Sequence, residues 1–355
     1  MLKEMDTRND EATVVKSIGK LGVSRRSYDR LYVNGTRFSS DPTELAANFH
    51  RLVDVGKRHE GKIGRSIFRG LVSSDVIKYV LNSDLRSSLE VALPVGEFTG
   101  DSSWLVYMAD NRPGREGIDS SGSMLNEVGN RPAEITYPLE KIKSAVNEGY
   151  DFVDRIGDDQ VDQLLVMWGE TFGWKREGIK KLQERLLKSK LKPLSERDVW
   201  FSAAVTKDNQ IVSAAMAERL SIPKANGGNL DLVESTEWKT EDKHAKKKLT
   251  TPTLDMLNAQ VLSDLAGSPN GLPLIFAECN LQSAAGFAGQ SAGLRIPDRA
   301  VAPQILTQNV LVRDNNHEIG DSKLRDFAFM YLPKNVIDAY YNEPQVEVMK
   351  AMIKV

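Results

Sequence analysis

Between residues 199 and 279 the hydrophobic period changes from strand-like to helical and back, and the order of those changes limits the folds open to the chain. Segments 199–206, 210–220 and 230–238 read as strands, with Lys207-Asp208-Asn209 and Ala225-Asn226-Gly227-Gly228 between them. Connections this short and this rich in turn residues make hairpins, so the three strands run antiparallel. A helical stripe follows at about 251–265, with Pro252 in its first turn and Leu254, Leu257, Val261 and Leu262 on one face. Residues 272–279, reading LPLIFAEC, then form a buried strand. A strand, a helix and another strand in succession call for a crossover, which sets a parallel pair inside a mostly antiparallel sheet. The fold class is α+β.

The flanking segments extend this order. Val161, Leu164, Leu165 and Trp168 follow i, i+3, i+4, i+7 after Asp158-Asp159, which predicts a helix over 159–170. A second helix over 176–190 carries Ile179, Leu182, Leu186 and Leu187 on one face and basic residues outside. Small residues at 282–292 lead to Gly293-Leu294, and strands at 307–313 and 325–332 finish the unit. Upstream, Leu45, Phe49, Leu52 and Val53 after Asp41-Pro42 predict a helix over 42–56, and 76–81 a shorter one. Segments 29–38, 89–95 and 103–109 read as strands. Breaker residues crowd 110–133, so the expected division is an N-terminal α/β region, 1–130, and a second domain, 131–355. No sequence repeat of fixed period is visible.

Composition narrows the function. Lys and Arg number 47 against 49 Asp and Glu, a net charge of −2, so no basic field points to nucleic acid. A single cysteine, Cys279, excludes an internal disulfide and a cysteine-based zinc site, and the four histidines lack metal-ligand spacing, so no metal is expected. Gly61 and Gly64 lack the Lys-Ser/Thr that a nucleotide loop needs. Acids stand near the start where a signal peptide needs an apolar run, and no apolar stretch approaches eighteen residues. The expectation is a cytoplasmic protein without a membrane span.

Over about residues 150–335 the element order resembles the GNAT superfamily of acyl-CoA-dependent N-acyltransferases, and the layout is similar to β-lysine N-acetyltransferases. Phe152-Val153-Asp154-Arg155 with the helix ending at Trp168 looks like the family's first strand and substrate-side helix. Asp231 to Trp238 looks like its fourth strand, and Leu274–Glu278 like its fifth. The helix beginning near Leu249 occupies the place of the pyrophosphate-binding helix, and Ser283 to Leu294 that of the helix closing on a Gly pair. The resemblance implies a mixed, mostly antiparallel sheet flanked by helices. It implies acyl-CoA, acetyl-CoA in particular, as co-substrate and direct attack by the amine of a small molecule or amino acid. The family turn Gln/Arg-x-x-Gly-x-Gly/Ala corresponds here to Ala245-Lys246-Lys247-Lys248-Leu249-Thr250, so lysines stand where glycine and its partners are usual.

From the same resemblance, Trp238, Lys239 and Thr240 would meet the thioester, and Lys246, Lys247, Lys248, Leu249 and Thr250 the pyrophosphate. Glu237 would accept the amine proton, with Glu234 as neighbour, while Trp168, Phe172 and Glu218 would border the acceptor pocket. Each has a plainer reading: a solvated basic loop, solvent-face carboxylates, and a core helix ending. No tyrosine stands at the family's general-acid position, where Gly289 and its neighbours lie; Tyr331 and Tyr340 are the alternative sources. Two rival functions stay open, a catalytically degenerate binding or regulatory module and an acyltransferase using an acyl carrier protein or aminoacyl donor. A homodimer is compatible with either.

Overall fold

The computed structural model describes residues 19–24, 30–35, 37–58, 65–110, 137–280, 285–299, 301–313 and 319–354. The junction expected at 111–133, Gly61 and Gly64, and the start of the helix expected at 282 lie outside the described residues.

Backbone pairing defines two sheets. The first contains β1 (Gly19–Ser24), β2 (Arg30–Gly35), β3 (Arg65–Val72), β4 (Leu89–Pro94) and β5 (Trp104–Ala109), in the order β1-β2-β3-β5-β4. Helix α1 (Pro42–Arg58) links the parallel pair β2 and β3, and α2 (Ser74–Leu81) follows β3. Of the stripe read from the sequence, Leu45, Phe49 and Leu52 are buried with Val33, Phe68 and Val106 and Val53 packs partly buried against them, while Val55, outside that stripe, is buried too. Asp41 caps α1, its Oδ1 accepting from the amides of Thr43 (2.8 Å) and Glu44 (3.3 Å).

The second sheet contains β6 (Asp151–Val153), β7 (Val199–Val205), β8 (Ile211–Pro223), β9 (Asn229–Thr240), β10 (Leu274–Asn280), β11 (Ile305–Arg313) and β12 (Ile319–Tyr331). Its order is β11-β12-β10-β9-β8-β7-β6. Between β5 and β7 lie α3 (Pro138–Asn147), α4 (Val161–Phe172) and α5 (Arg176–Lys190). Helix α6 (Thr250–Leu265) links β9 to β10, α7 (Ala285–Ser291) follows β10, and α8 (Lys334–Tyr340) and α9 (Glu343–Ala351) follow β12. The expected parallel pair is present: Leu274, Ile275 and Phe276 of β10 pair with Leu232, Val233 and Glu234 of β9. Both expected hairpin turns form. Gly227 and Gly228 take φ of 85° and 70°, a left-handed region that costs glycine nothing.

By compactness the described residues divide into two units. One draws on 1–123, 221–230 and 297–329, the other on 124–220, 231–296 and 330–355. In the second unit Val161, Leu164 and Trp168 of α4 and Ile179, Leu182 and Leu186 of α5 bury against Phe201, Ala203, Ala214 and Met216. Leu187 departs from expectation and is 57% exposed. One residue past Leu186, it is turned about 100° from the buried stripe and leaves the face that Ile179, Leu182 and Leu186 share. β1, β3, α3, α8 and α9 had no counterpart in the sequence reading.

Candidate active site

The site starts from a strand that falls out of step. Asp231 of β9 accepts from Arg219 (2.6 Å) and from Ser268, just beyond α6, and Thr240 meets Ser213 (2.9 Å) and Thr250 (2.7 Å), which also lie toward α6. In a regular strand, residues nine apart point to opposite faces. One extra residue must therefore lie between them, and Glu237, with φ 54°, is that residue. The bulge turns the end of β9, whose pairing with β10 ends at Glu234–Phe276. From there the two parallel strands part, and the start of α6 follows the parted end of β9.

Beyond Thr240 a short 3₁₀ turn, Asp242–Lys247, leads to Lys248 at φ 53° and then to α6. Lys248 holds the backbone conformation that the resembling family usually gives to glycine. For a residue with a Cβ this costs roughly 1–2 kcal/mol. The start of α6 has no side-chain cap and no acid in its first turn, which leaves its positive end open to an anion. A buried hydroxyl cluster holds that end against the sheet: Ser213 Oγ accepts from Thr240 (2.9 Å) and lies 3.1 Å from Thr253 Oγ1, which donates to the Leu249 carbonyl (2.8 Å).

The lysines of this turn are not equivalent. Lys239 pairs with Asp242 (2.8 Å) and holds that carboxyl below its usual range. Lys243 pairs with Glu241 (2.9 Å), and Lys247 with Glu148 (3.0 Å), which raises the Lys247 ammonium. His244 Nδ1 meets the Tyr150 hydroxyl at 3.1 Å. Lys246 and Lys248 are exposed and form no ion pair with described residues, so they keep their charge for a ligand.

The structure spreads the remaining sequence-derived residues. Glu237 is buried, 6% exposed, and Glu234 is half-buried opposite Phe276 of β10. Trp238 and Lys239 are half-buried and Leu249 is buried. Glu218 accepts from Arg185 of α5 at 2.6 Å. Trp168 is fully buried, its ring 5.5 Å from Trp174 and 6.0 Å from Phe201, and Phe172 packs partly buried on that cluster. Tyr340 stacks edge-on with Tyr137 at 5.5 Å, and the Tyr331 carbonyl accepts from the Arg295 amide at 2.7 Å. Among the described residues no group of three or more His, Cys, Asp and Glu side chains converges as a metal site would need.

Sequence reasoning missed the hydroxyl cluster and a buried polar cluster behind it. Asp255 of α6, 0% exposed, meets Lys141 of α3 at 2.8 Å and accepts from the Tyr341 hydroxyl at 2.8 Å. Lys141 also donates to the Ser291 carbonyl (2.7 Å), and the Tyr341 oxygen lies 3.2 Å from the Ala292 carbonyl, at the end of α7. Burial pushes the Asp255 carboxyl and the Tyr341 phenol up. The run Thr250-Thr251-Pro252-Thr253 was the available signal for the first cluster; none marked the second.

No family profile matches the chain, and no curated protein matches it in sequence. Among solved structures it is similar to Arabidopsis thaliana NAA60 in complex with a bisubstrate analogue, at 11% identity and a TM-score of 0.37, covering 52% of this chain and 99% of that one. It is also similar to a Trypanosoma brucei acetyltransferase, at 10% identity and a TM-score of 0.32, covering 42% of this chain and 95% of that one. A third is an aminoglycoside acetyltransferase from an uncultured soil metagenomic sample in complex with sisomicin, at 11% identity and a TM-score of 0.31, covering 41% of this chain and 89% of that one. The fold assignment rests on the chain's own strand order, the β9–β10 parallel pair and the bulge between Asp231 and Thr240. On those grounds the seven-stranded sheet with its helices has the mixed, mostly antiparallel α+β layout that the GNAT resemblance implies.

Proposed function

We propose that this chain is an N-acyltransferase that moves an acyl group, acetyl in the simplest case, from a CoA thioester to the amine of a small molecule or amino acid. The observation carrying this reading is one juxtaposition: a parted parallel pair, a bulge at Glu237, and an uncapped, acid-free start of α6 preceded by Lys246 and Lys248. The pyrophosphate would lie at that helix start, held by backbone amides and the two lysines. The thioester would then follow Thr240, Lys239 and Trp238 along β9, where strand amides left unpaired by the parting can polarise its carbonyl.

In this reading the amine nitrogen attacks the thioester carbon, a C–N bond forms, the C–S bond breaks, and CoA leaves as the thiolate. The proton lost by the amine passes to Glu237, directly or through one water, and the thiolate gains a proton as it departs. Glu234, on the same strand, is the second carboxylate in this role. Trp168 lies too deep in the core to touch an acceptor, so Phe172 and Glu218 remain as the proposed edge of that pocket.

The test screens amino acids and small amines for release of CoA thiol, then compares Glu237→Gln with the unsubstituted protein. Turnover should fall about 10²-fold, with acyl-CoA affinity kept and the deficit narrowing at high pH, where free amine is abundant. Equal turnover across about pH 6–9 would move the role to Glu234. Thioester binding without thiol release from any amine would favour the degenerate, non-catalytic reading, which the lysine at position 248 supports.

A second donor has one observation in its favour. On the outer side of α5, Leu187 and Leu191 are 57% and 87% exposed, beside Lys180, Lys181 and Lys188, which form no ion pair with described residues. Such a face suits the acidic surface of an acyl carrier protein. Among the described residues no helix is long and apolar enough to cross a membrane.

A further inference from the structure

Resting on the acyl-CoA reading above, we infer that Trp238 sets the length of the acyl group by filling the gap between the parted strands. The argument begins with the bulge. Past Glu237 the side-chain alternation is reset, so Trp238 shares a face with Thr240 and points toward α6 and α7. Its ring end lies against Gly289 of α7: a Cβ added there would stand 3.3 Å from Trp238 Cη2, 3.3 Å from Leu294 Cδ1 and 3.5 Å from Cys279 Sγ.

Trp238 belongs to one of the diverging strands and Cys279 to the other, and each lies beyond their last pair, Glu234–Phe276. The ring therefore spans the opening that the divergence creates. A Cβ at 289 would require the ring to give by a few tenths of an ångström, so glycine there lets it pack closely. Cys279 and Leu294 are each 1% exposed, so the far wall is apolar and closed. An acetyl group arriving along β9 ends at the ring, and a longer chain meets it. A pocket wall of this kind discriminates by size, at about 10- to 200-fold for one methylene it cannot house.

The experiment titrates the full chain calorimetrically with CoA, acetyl-CoA, butyryl-CoA and octanoyl-CoA. The unsubstituted protein should bind CoA and acetyl-CoA comparably and octanoyl-CoA at least about tenfold more weakly. Trp238→Ala should shift the octanoyl-to-acetyl affinity ratio by about tenfold or more toward the long chain. Trp238→Phe keeps a smaller ring in the core and should shift the ratio part of the way, which covers the case in which the alanine variant does not fold. An unchanged ratio in the phenylalanine variant and in any folded alanine variant overturns the inference, as does an unsubstituted protein that takes octanoyl-CoA as readily as acetyl-CoA. Absence of binding by CoA and all three thioesters would instead overturn the acyl-CoA reading beneath it.

Discussion

Strands β1–β5 with α1 and α2, and strands β8–β12 with α6 and α7, run through the same series of moves. Each begins with two neighbouring strands, crosses by a helix to a parallel strand, adds a second helix, and closes with two strands of which the later lies inside. The orders β1-β2-β3-β5-β4 and β8-β9-β10-β12-β11 correspond strand for strand. The chain thus carries one topology twice, although the sequence shows no repeat, because alternation and turn placement specify topology while leaving residue identity free.

The copies differ where a ligand would enter. In the first, β2 stays paired with β3 from Arg30 through Asn34, to within one residue of its end. In the second, β9 runs six residues past its last pair with β10 and carries the Glu237 bulge. The start of α1 is occupied by the Asp41 carboxylate and has Glu44 in its first turn, whereas α6 has neither cap nor acid there. An anion is repelled by the first helix start and attracted by the second. In the proposed reading, therefore, topology alone does not make an acyl-CoA site; the parted strand pair and the open helix start do.

The helices also differ in how they are covered. α1 buries one stripe and shows the rest to solvent, while α6 is buried from Pro252 to Leu262 and touches β7, α3 and α9. A helix covered on several sides must satisfy its polar residues internally. The largest effect expected from this contrast is in Asp255→Ala, which strands Lys141 and should cost about 3–5 kcal/mol. Urea unfolding measures it, and Asp255→Ala with Lys141→Met should recover part of the loss. A cost of the single change below about 1 kcal/mol would show the cluster to be slack.

A smaller effect bears on the ligand. Calorimetry should give one CoA per chain, and Lys246, Lys247 and Lys248 changed together to alanine should weaken it by roughly tenfold at low salt, less as salt screens the contacts. Two sites per chain, or undiminished affinity in the triple variant, would erase the distinction between the helix starts.

The smallest effect concerns β6, which the first copy lacks. Burial pushes the Asp151 carboxyl up, but Lys354 at 2.5 Å and Lys207 at 3.3 Å outweigh it and hold the group below its usual range. A depressed carboxyl stabilises the fold above its unfolded value and loses that contribution as pH falls through its folded value, so the window lies below about pH 4. Both lysines are largely exposed, which keeps the contribution under about 1 kcal/mol. Asp151→Asn should flatten the acid side of a stability–pH curve by that amount; an unaltered curve would mean the lysines are solvated.

Much of the second sheet was legible because its signals are local. The turns at 207–209 and 225–228, the stripe of α4 and the apolar strand 274–279 each declare themselves within a dozen residues. β3 was missed because Arg65, Arg69 and Gly70 break the look of a strand, although Arg69 is buried against Asn34 (2.9 Å) and Tyr107 (3.2 Å). Trp168 and Phe172 showed the ambiguity of aromatic residues at a helix end, which serve a core and a pocket equally well at the same spacing.

The sequence by itself determined the α+β class, the crossover and its parallel pair, and the lysine-rich turn ahead of α6, since each follows from periods and turn chemistry within one segment. Tertiary structure alone decided that β9 bulges at Glu237, that Trp238 reaches Gly289, that Asp255 is buried with Lys141 and Tyr341, and that one topology occurs twice. Those features depend on which distant segments come to lie together, and a residue's spacing along the chain carries no record of the partners it meets across it.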